Sequence, residues 1–209
     1  MGSACYRQYD DNIGWEAHAV TWTEWAGVVT GALCVILTVR RHIGNFPVGI
    51  ANNVFFLVLF VDAGLYADAG LQVVFGLLGL QGWWLWLHGG PQRGRLEIRP
   101  LDQQTLVLTT TGVVVATAVM TWVLSSYTDS TVPFWDALTT ALSLGAQWLL
   151  NRKHTANWYV WIVADVVYVA LYAYKDLRLT AALYAGFLVL CVVGLRQWQR
   201  AQRQVLVPA

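Results

Sequence analysis

Displaced by 112 residues against itself, with no gaps, the chain sets Arg40-Arg41-His42 on Arg152-Lys153-His154, Asn45 on Asn157, Asn53 on Asp165, Gly82 on Gly194 and Trp86 on Trp198. Fifteen of the 65 positions from Trp22 to Trp86 are identical to their partners. The matched stretch covers three apolar segments, so the sequence reads as a duplicated three-helix membrane module. Such duplication commonly builds a pathway between the copies, which makes transport the leading expectation.

Apolar residues make up 57% of 209 positions, mean hydropathy is +0.49, and only 12% are charged. Soluble domains carry about 25% charged residues. Apolar runs long enough to cross a ~30 Å hydrocarbon core as helices fall at 22–39, 45–61, 69–87, 105–124, 133–150, 157–174 and 179–198. A β-barrel fits poorly, because these runs lack inside/outside alternation. The expected fold is an all-α membrane protein of seven transmembrane helices.

Charge gives an independent check on that number. Arg40, Arg41, Arg93, Arg95, Arg99, Arg152, Lys153, Arg196, Arg200 and Arg203 all fall on one side of a seven-helix path, while Asp62, Asp68 and Asp129 collect on the other, with Arg7, Lys175 and Arg178 as its positive charges. The positive-inside rule then puts the N-terminus outside and the C-terminus in the cytoplasm.

Four crossings separate helix one from its partner helix five, so the two modules point the same way. Helix four has no partner and inverts the chain between them, giving three plus one plus three. The expected organisation is a polar lead-in at 1–21, a first bundle at 22–88, a cytoplasmic linker loop at 89–104, a linker helix at 105–124, a second bundle at 133–198 and a cytoplasmic tail at 199–209. Pro91, Gly94 and Pro100 make the linker loop read as flexible. The lead-in lacks the apolar core of a signal peptide. Cys5, Cys34 and Cys191 have no metal-ligand spacing and read as small apolar filler.

Asp165 is the most telling residue, about 12 Å along its helix at ~1.5 Å per residue and well inside the slab. An aspartate at helix centre costs at least about 2.5 kcal/mol, so it should face a polar cavity or a partner. Trp158, Trp161 and Asp165 stand at i, i+3 and i+7, presenting two indoles and a carboxylate on one face. That face could cradle a flat cation. Trp158 reads equally well as part of the interfacial aromatic belt.

The shift matches Asn53 to Asp165 and Gly49 to Trp161, so the first module offers an amide and space where the second offers a charge and a ring. Asn52 reads as pairing with a helix neighbour. Gln81, Gln147 and Asn151 add amides suited to hydroxyl recognition, although Asn151 also fits a helix-terminus role. Glu24 and Asp136 suit the dipole at their helix starts, and Asn45 and Asn157 read as N-caps. Pro47 suggests a bend that its partner Tyr159 lacks.

Several functions are disfavoured. A retinal photoreceptor needs a lysine within its last helix, and Lys153 and Lys175 lie in loops. A serine hydrolase elbow is missing, as is a phosphate-binding loop that could drive transport by nucleotide hydrolysis. The chain is not expected to be an enzyme, to need a cofactor or metal, or to bind nucleic acid. Facilitated diffusion of a small molecule through the bilayer is the simplest mechanism.

The run at 151–165 (Asn-Arg-Lys-His-Thr-Ala-Asn-Trp-Tyr-Val-Trp-Ile-Val-Ala-Asp), the stretches at 172–184 and 194–198, and the segments 45–49 and 80–84 of the first module resemble the PnuC family of bacterial vitamin transporters. The Trp-x-x-Trp-x-x-x-Asp arrangement is the most specific part of that likeness. The resemblance implies a fold related to full-length SWEET transporters and uptake of nicotinamide riboside by facilitated diffusion with alternating access. It also implies trapping by intracellular phosphorylation, hence functional coupling to a cytoplasmic nucleoside kinase, in the bacterial inner membrane. Carried over by residue, it implicates Trp158, Trp161 and Asp165 in binding, with Asn53, Gln81 and Gln147 around them. A thiamine carrier, a riboflavin carrier and a cation-coupled symporter using Asp165 are the alternatives, and a homo-oligomer is compatible with the sequence.

Overall fold

The computed structural model describes residues 22–62, 64, 66–128, 130–174 and 178–206. The lead-in at 1–21 lies outside them, as do Asp129, Lys175 and the side chain of Glu24. Seven α-helices follow in order: α1 Trp22–Val39, α2 Asn45–Asp62, α3 Tyr66–His88, α4 Gln103–Tyr127, α5 Pro133–Asn151, α6 Asn157–Tyr174 and α7 Arg178–Leu206. Six begin or end within a few residues of the expected spans. The seventh runs on to Leu206 and converts most of the expected tail into helix.

Four of these helices are long and apolar enough to cross a membrane, in α2, α3, α4 and α7, and α1 contributes a shorter apolar stretch, Ala26–Val39. α5 and α6 fall short on composition, and several of their polar residues turn inward. In α5, Thr139, Ser143 and Asn151 are buried, as Asp165 is in α6. α2 packs between α1 and α3, α6 packs between α5 and α7, and the two sets meet where α1 contacts α7 and α3 contacts α5. α4 lies against α5, with Gly145 letting Val113 and Thr109 approach closely.

The turns joining α1 to α2 and α5 to α6 are built alike. Arg41 and Lys153, 112 positions apart, adopt left-handed φ values of 58° and 56°. His42 N–H donates to Leu37 O at 2.9 Å and His154 N–H to Leu149 O at 3.0 Å, closing a Schellman motif on each helix end. Asn45 and Asn157 do not cap as expected. Each side-chain amide donates backward, to His42 O at 2.8 Å and His154 O at 2.7 Å, and so stiffens the turn rather than accepting from the next one.

Two tryptophans tie the sets together. Trp86 Nε1 on α3 donates to Leu150 O on α5 at 3.1 Å, and Trp198 Nε1 on α7 donates to Thr38 O on α1 at 3.0 Å. Each indole thus adds a second donor to a carbonyl in the last turn of a helix, beside the backbone N–H of Arg41 or Lys153. The rings lie 6.0 Å apart. Phe46 meets Trp86 edge-on at 5.0 Å, and Trp158 meets Trp198 edge-on at 5.7 Å. Gly82 and Gly194 make this packing fit. A Cβ on Gly82 would collide with Asn151 Oδ1 and lie 2.5 Å from the Phe46 ring, and one on Gly194 would lie 2.5 Å from the Trp158 ring.

The linker loop is anchored, contrary to the flexibility its composition suggested. Leu96 and Ile98 are buried in the cluster around Trp86 and Trp198. Leu96 N–H donates to Trp86 O at 3.1 Å, while Lys153 Nζ donates to Leu96 O at 2.7 Å and sits 4.3 Å over the Trp86 ring. His154 Nδ1 pairs with Pro100 O at 2.9 Å. Asp102 caps α4 by accepting from Thr105 N–H at 2.8 Å, and that bond holds its carboxyl below the usual range. The cap extends α4 beyond the span its apolar run defined. Pro47 stands in the first turn of α2, where a missing N–H breaks no interior bond, so the expected bend has no local cause.

Two outcomes test this packing. Gly82→Ala and Gly194→Ala should each destabilise the protein in detergent by about 1–3 kcal/mol through overpacking, whereas Gly112→Ala, whose Cβ meets open space, should be neutral or stabilising by up to about 1 kcal/mol. Equal melting temperatures for all three would contradict the close approach. Burial, with Arg41 and Arg95 nearby, holds the Lys153 ammonium at about 8 against its ordinary 10.5. The folded chain then binds fewer protons than the unfolded one between those values, so this group makes stability rise as pH climbs through that window. The rise should be smaller in Lys153→Met, measured by thermal unfolding across pH.

Candidate functional site

The α1, α2 and α3 set and the α5, α6 and α7 set enclose a cavity of about 420 Å³, within the range of small-molecule sites. Its wall follows one face of α6 upward from the basic-loop end: Trp158, Trp161, Asp165 and Tyr168. Opposite stands the matching face of α2, with Phe46, Gly49, Asn53 and Phe56. Each of these residues is 112 positions from its counterpart. The same holds for Gly31 and Ser143, Val35 and Gln147, Thr38 and Leu150, Gln72 and Tyr184, Phe75 and Phe187, and Gly79 and Cys191, so twenty of the 25 lining residues form ten pairs.

Asp165 is 4% exposed, and among the described residues it is the only acidic or basic side chain on this wall. Cys191 Sγ donates to its Oδ2 at 3.3 Å. This corrects the reading of Cys191 as filler. A buried carboxylate with one weak donor and no cationic partner is costly unless a ligand cation or a proton completes it.

Trp161 is half-buried beside it on the same wall. Trp158 has a double role: it lines the cavity, yet its ring is 2% exposed and wedged between Gly194 and Trp198. Its indole N–H is buried without a protein partner. Asn53 is half-buried on the wall, and Gln147 lines it while donating from Nε2 to Asn151 Oδ1 at 2.9 Å.

The structure does not bring Asn151 and Gln81 to the cavity wall. Asn151 is 1% exposed and donates to Leu78 O at 2.8 Å, tying α5 to α3. Gln81 is exposed, and its Oε1 lies 3.5 Å from the Asn151 amide. Asn52 pairs as expected with α1, donating to Gly27 O at 2.6 Å and Thr30 Oγ1 at 3.1 Å.

Sequence reasoning missed the aromatic wall toward the other end. Tyr168 and Tyr184 ring centroids lie 4.5 Å apart, Tyr172 joins them at 5.2 Å from Tyr184, and Phe56 stacks on Phe60 at 5.8 Å. The 112-residue shift held the signal, since Phe56 and Phe60 align with Tyr168 and Tyr172. These rings are half-buried, whereas the basic-loop end is closed by Phe46, Trp158, Trp86 and Trp198, each at most 3% exposed.

The profile of the nicotinamide mononucleotide transporter family matches residues 21–200. The nicotinamide riboside transporter PnuC of Escherichia coli K12 is 26% identical, over 92% of this chain and 91% of its own length. The riboflavin/roseoflavin transporter RibM of Streptomyces davaonensis is 24% identical over 88% of each chain. The crystal structure of the vitamin B3 transporter PnuC superposes with a TM-score of 0.67 at 23% identity, covering 88% of this chain and 83% of that one, and so shares the fold. Together with the apolar helices, these matches make the protein a multi-pass membrane protein, and the match over residues 21–200 establishes that the chain belongs to the nicotinamide mononucleotide transporter family.

Proposed function

We propose that this chain takes up nicotinamide riboside across the bacterial inner membrane by facilitated diffusion. The observation that carries the reading is Asp165, which among the described residues is the one charged group on the cavity wall, lacks a protein cation and stands one turn from the Trp161 ring. A flat pyridinium supplies the missing charge to the carboxylate and a positive face to the indole. The curated relative in Escherichia coli carries nicotinamide riboside in its name, which agrees with that chemistry. Riboflavin, named for the Streptomyces relative, has no positive ring for Asp165 to neutralise.

The substrate site in this reading comprises Trp158, Trp161, Asp165, Asn53 and Gln147, with Gln81 and Asn151 bracing α3 against α5 behind it. The architecture is two parallel three-helix bundles, at 22–88 and 133–198, joined by the linker helix in a SWEET-like plan. Support comes from the ten pairs of lining residues, the matched turns, and the reciprocal tryptophan bonds that relate α1 and α7 as they relate α5 and α3. With the ten basic residues cytoplasmic, the N-terminus is outside. The cavity is then sealed toward the cytoplasm by the tryptophan pair and the linker strap, and rocking of the bundles exposes it to the other side. A cytoplasmic nucleoside kinase completes net uptake by phosphorylating the product.

Asp165→Ala and Trp161→Ala should each weaken nicotinamide riboside binding by about tenfold or more, equivalent to about 1.4 kcal/mol, in calorimetry on folded protein, with thiamine and riboflavin as comparators. Unchanged affinity in both variants removes the site, and tighter riboflavin than nicotinamide riboside binding removes the substrate. Uptake into liposomes lacking any ion gradient should proceed; dependence on a gradient favours symport. Replacing Trp86 and Trp198 together by Phe should loosen the inner seal. At about 0.6 kcal/mol per interhelical bond, labelling from the cytoplasmic side of a cysteine placed at Thr38, in a background without other cysteines, should rise severalfold.

A further inference from the structure

Asp165 and Cys191 face each other across α6 and α7, at 4% and 5% exposure, with the thiol donating to Oδ2 at 3.3 Å. Among the described residues no other hydrogen bond reaches this carboxylate. One oxygen is held and the other is left without a protein donor, in a cavity whose wall carries no base. The positions 112 residues earlier, Asn53 and Gly79, lack both features together. At Gly79 a side chain would also be crowded, its Cβ lying 3.2 Å from Ile50 Cγ1. The carboxylate and the thiol are therefore both on one side of the cavity, and an amide and a glycine are on the other.

We propose that Cys191 is a positioning residue that fixes the Asp165 carboxylate so that its second oxygen is presented to a cationic ring. This rests on the substrate reading above for the identity of the ring, and on the structure alone for the pairing. A thiol suits the task because it is a weak donor. It orients the carboxylate while leaving most of the negative charge available to the ligand. A serine hydroxyl would hold the same oxygen and likewise leave the second one free for the ligand.

The test combines a ligand-free spectrum with a binding cycle. In infrared spectra of detergent-solubilised protein, the S–H stretching band lost in Cys191→Ala is assigned to Cys191, and it should move to higher frequency in Asp165→Ala, where the acceptor is gone. A band that does not move overturns the pairing, whatever the substrate. In calorimetry with nicotinamide riboside, Cys191→Ala should lower affinity about threefold to tenfold, the range expected for one modest hydrogen bond, and Cys191→Ser should retain tight binding. In the Asp165→Asn background the same Cys191→Ala change should have no further effect. Equal losses in both backgrounds, or a serine variant as weak as alanine, overturn positioning. A parent protein that shifts its band yet binds no nicotinamide riboside supports the pairing and sinks the substrate reading instead.

Discussion

Two hydrogen bonds that cross between helix sets hold this structure in register. Each set ends its first helix in a turn whose carbonyls Thr38 O and Leu150 O accept from Arg41 N–H and Lys153 N–H at 2.9 Å and keep a second lone pair for a further donor. Trp198 supplies one to α1 and Trp86 supplies one to α5. Each donor belongs to the other set, so the two bonds tie the sets together. Rings, glycines and the linker strap then fill the same corner. Phe46 and Trp158 pack edge-on against these indoles, Gly82 and Gly194 leave room for them, and Leu96 covers the join. Closure at the basic-loop end therefore follows from the bonds and ring packing that join the two sets.

That closure sets where the cavity lies and what it can hold. With the sets pinned together at one end, the facing sides of α2 and α6 line the space that runs from there toward the aromatic residues. The shared plan is symmetric, but the chemistry is not: Asn53 and Gly49 face Asp165 and Trp161. A symmetric passage with one charged wall favours a ligand that is itself lopsided, with a positive ring at one end and neutral hydroxyls at the other.

The 112-residue shift and the apolar runs made the helices legible, and the spacing of Trp158, Trp161 and Asp165 identified the α6 face that lines the cavity. Other features depended on three-dimensional neighbours. Asn151 looked like a hydroxyl reader until Leu78 O claimed its amide, and no sequence spacing relates residues 73 apart. Trp158 was split between belt and site because its packing on Gly194 and Trp198 comes from another helix. The linker at 89–104 read as flexible from its prolines and glycine, yet Leu96 and Ile98 reach the tryptophan cluster. Cys191 gave no signal alone. Its meaning comes from Asp165, 26 residues away in sequence and in contact in space.

The central claim is that Asp165 recognises the positive charge of a flat ring. The most direct measurement compares binding of nicotinamide riboside with its dihydro form, which keeps the sugar and nearly the same outline but carries no ring charge. The account predicts at least about a tenfold preference for the charged form, collapsing in Asp165→Asn. Equal affinity for the two forms in the parent protein, or a preference that survives the Asp165→Asn change, would contradict it.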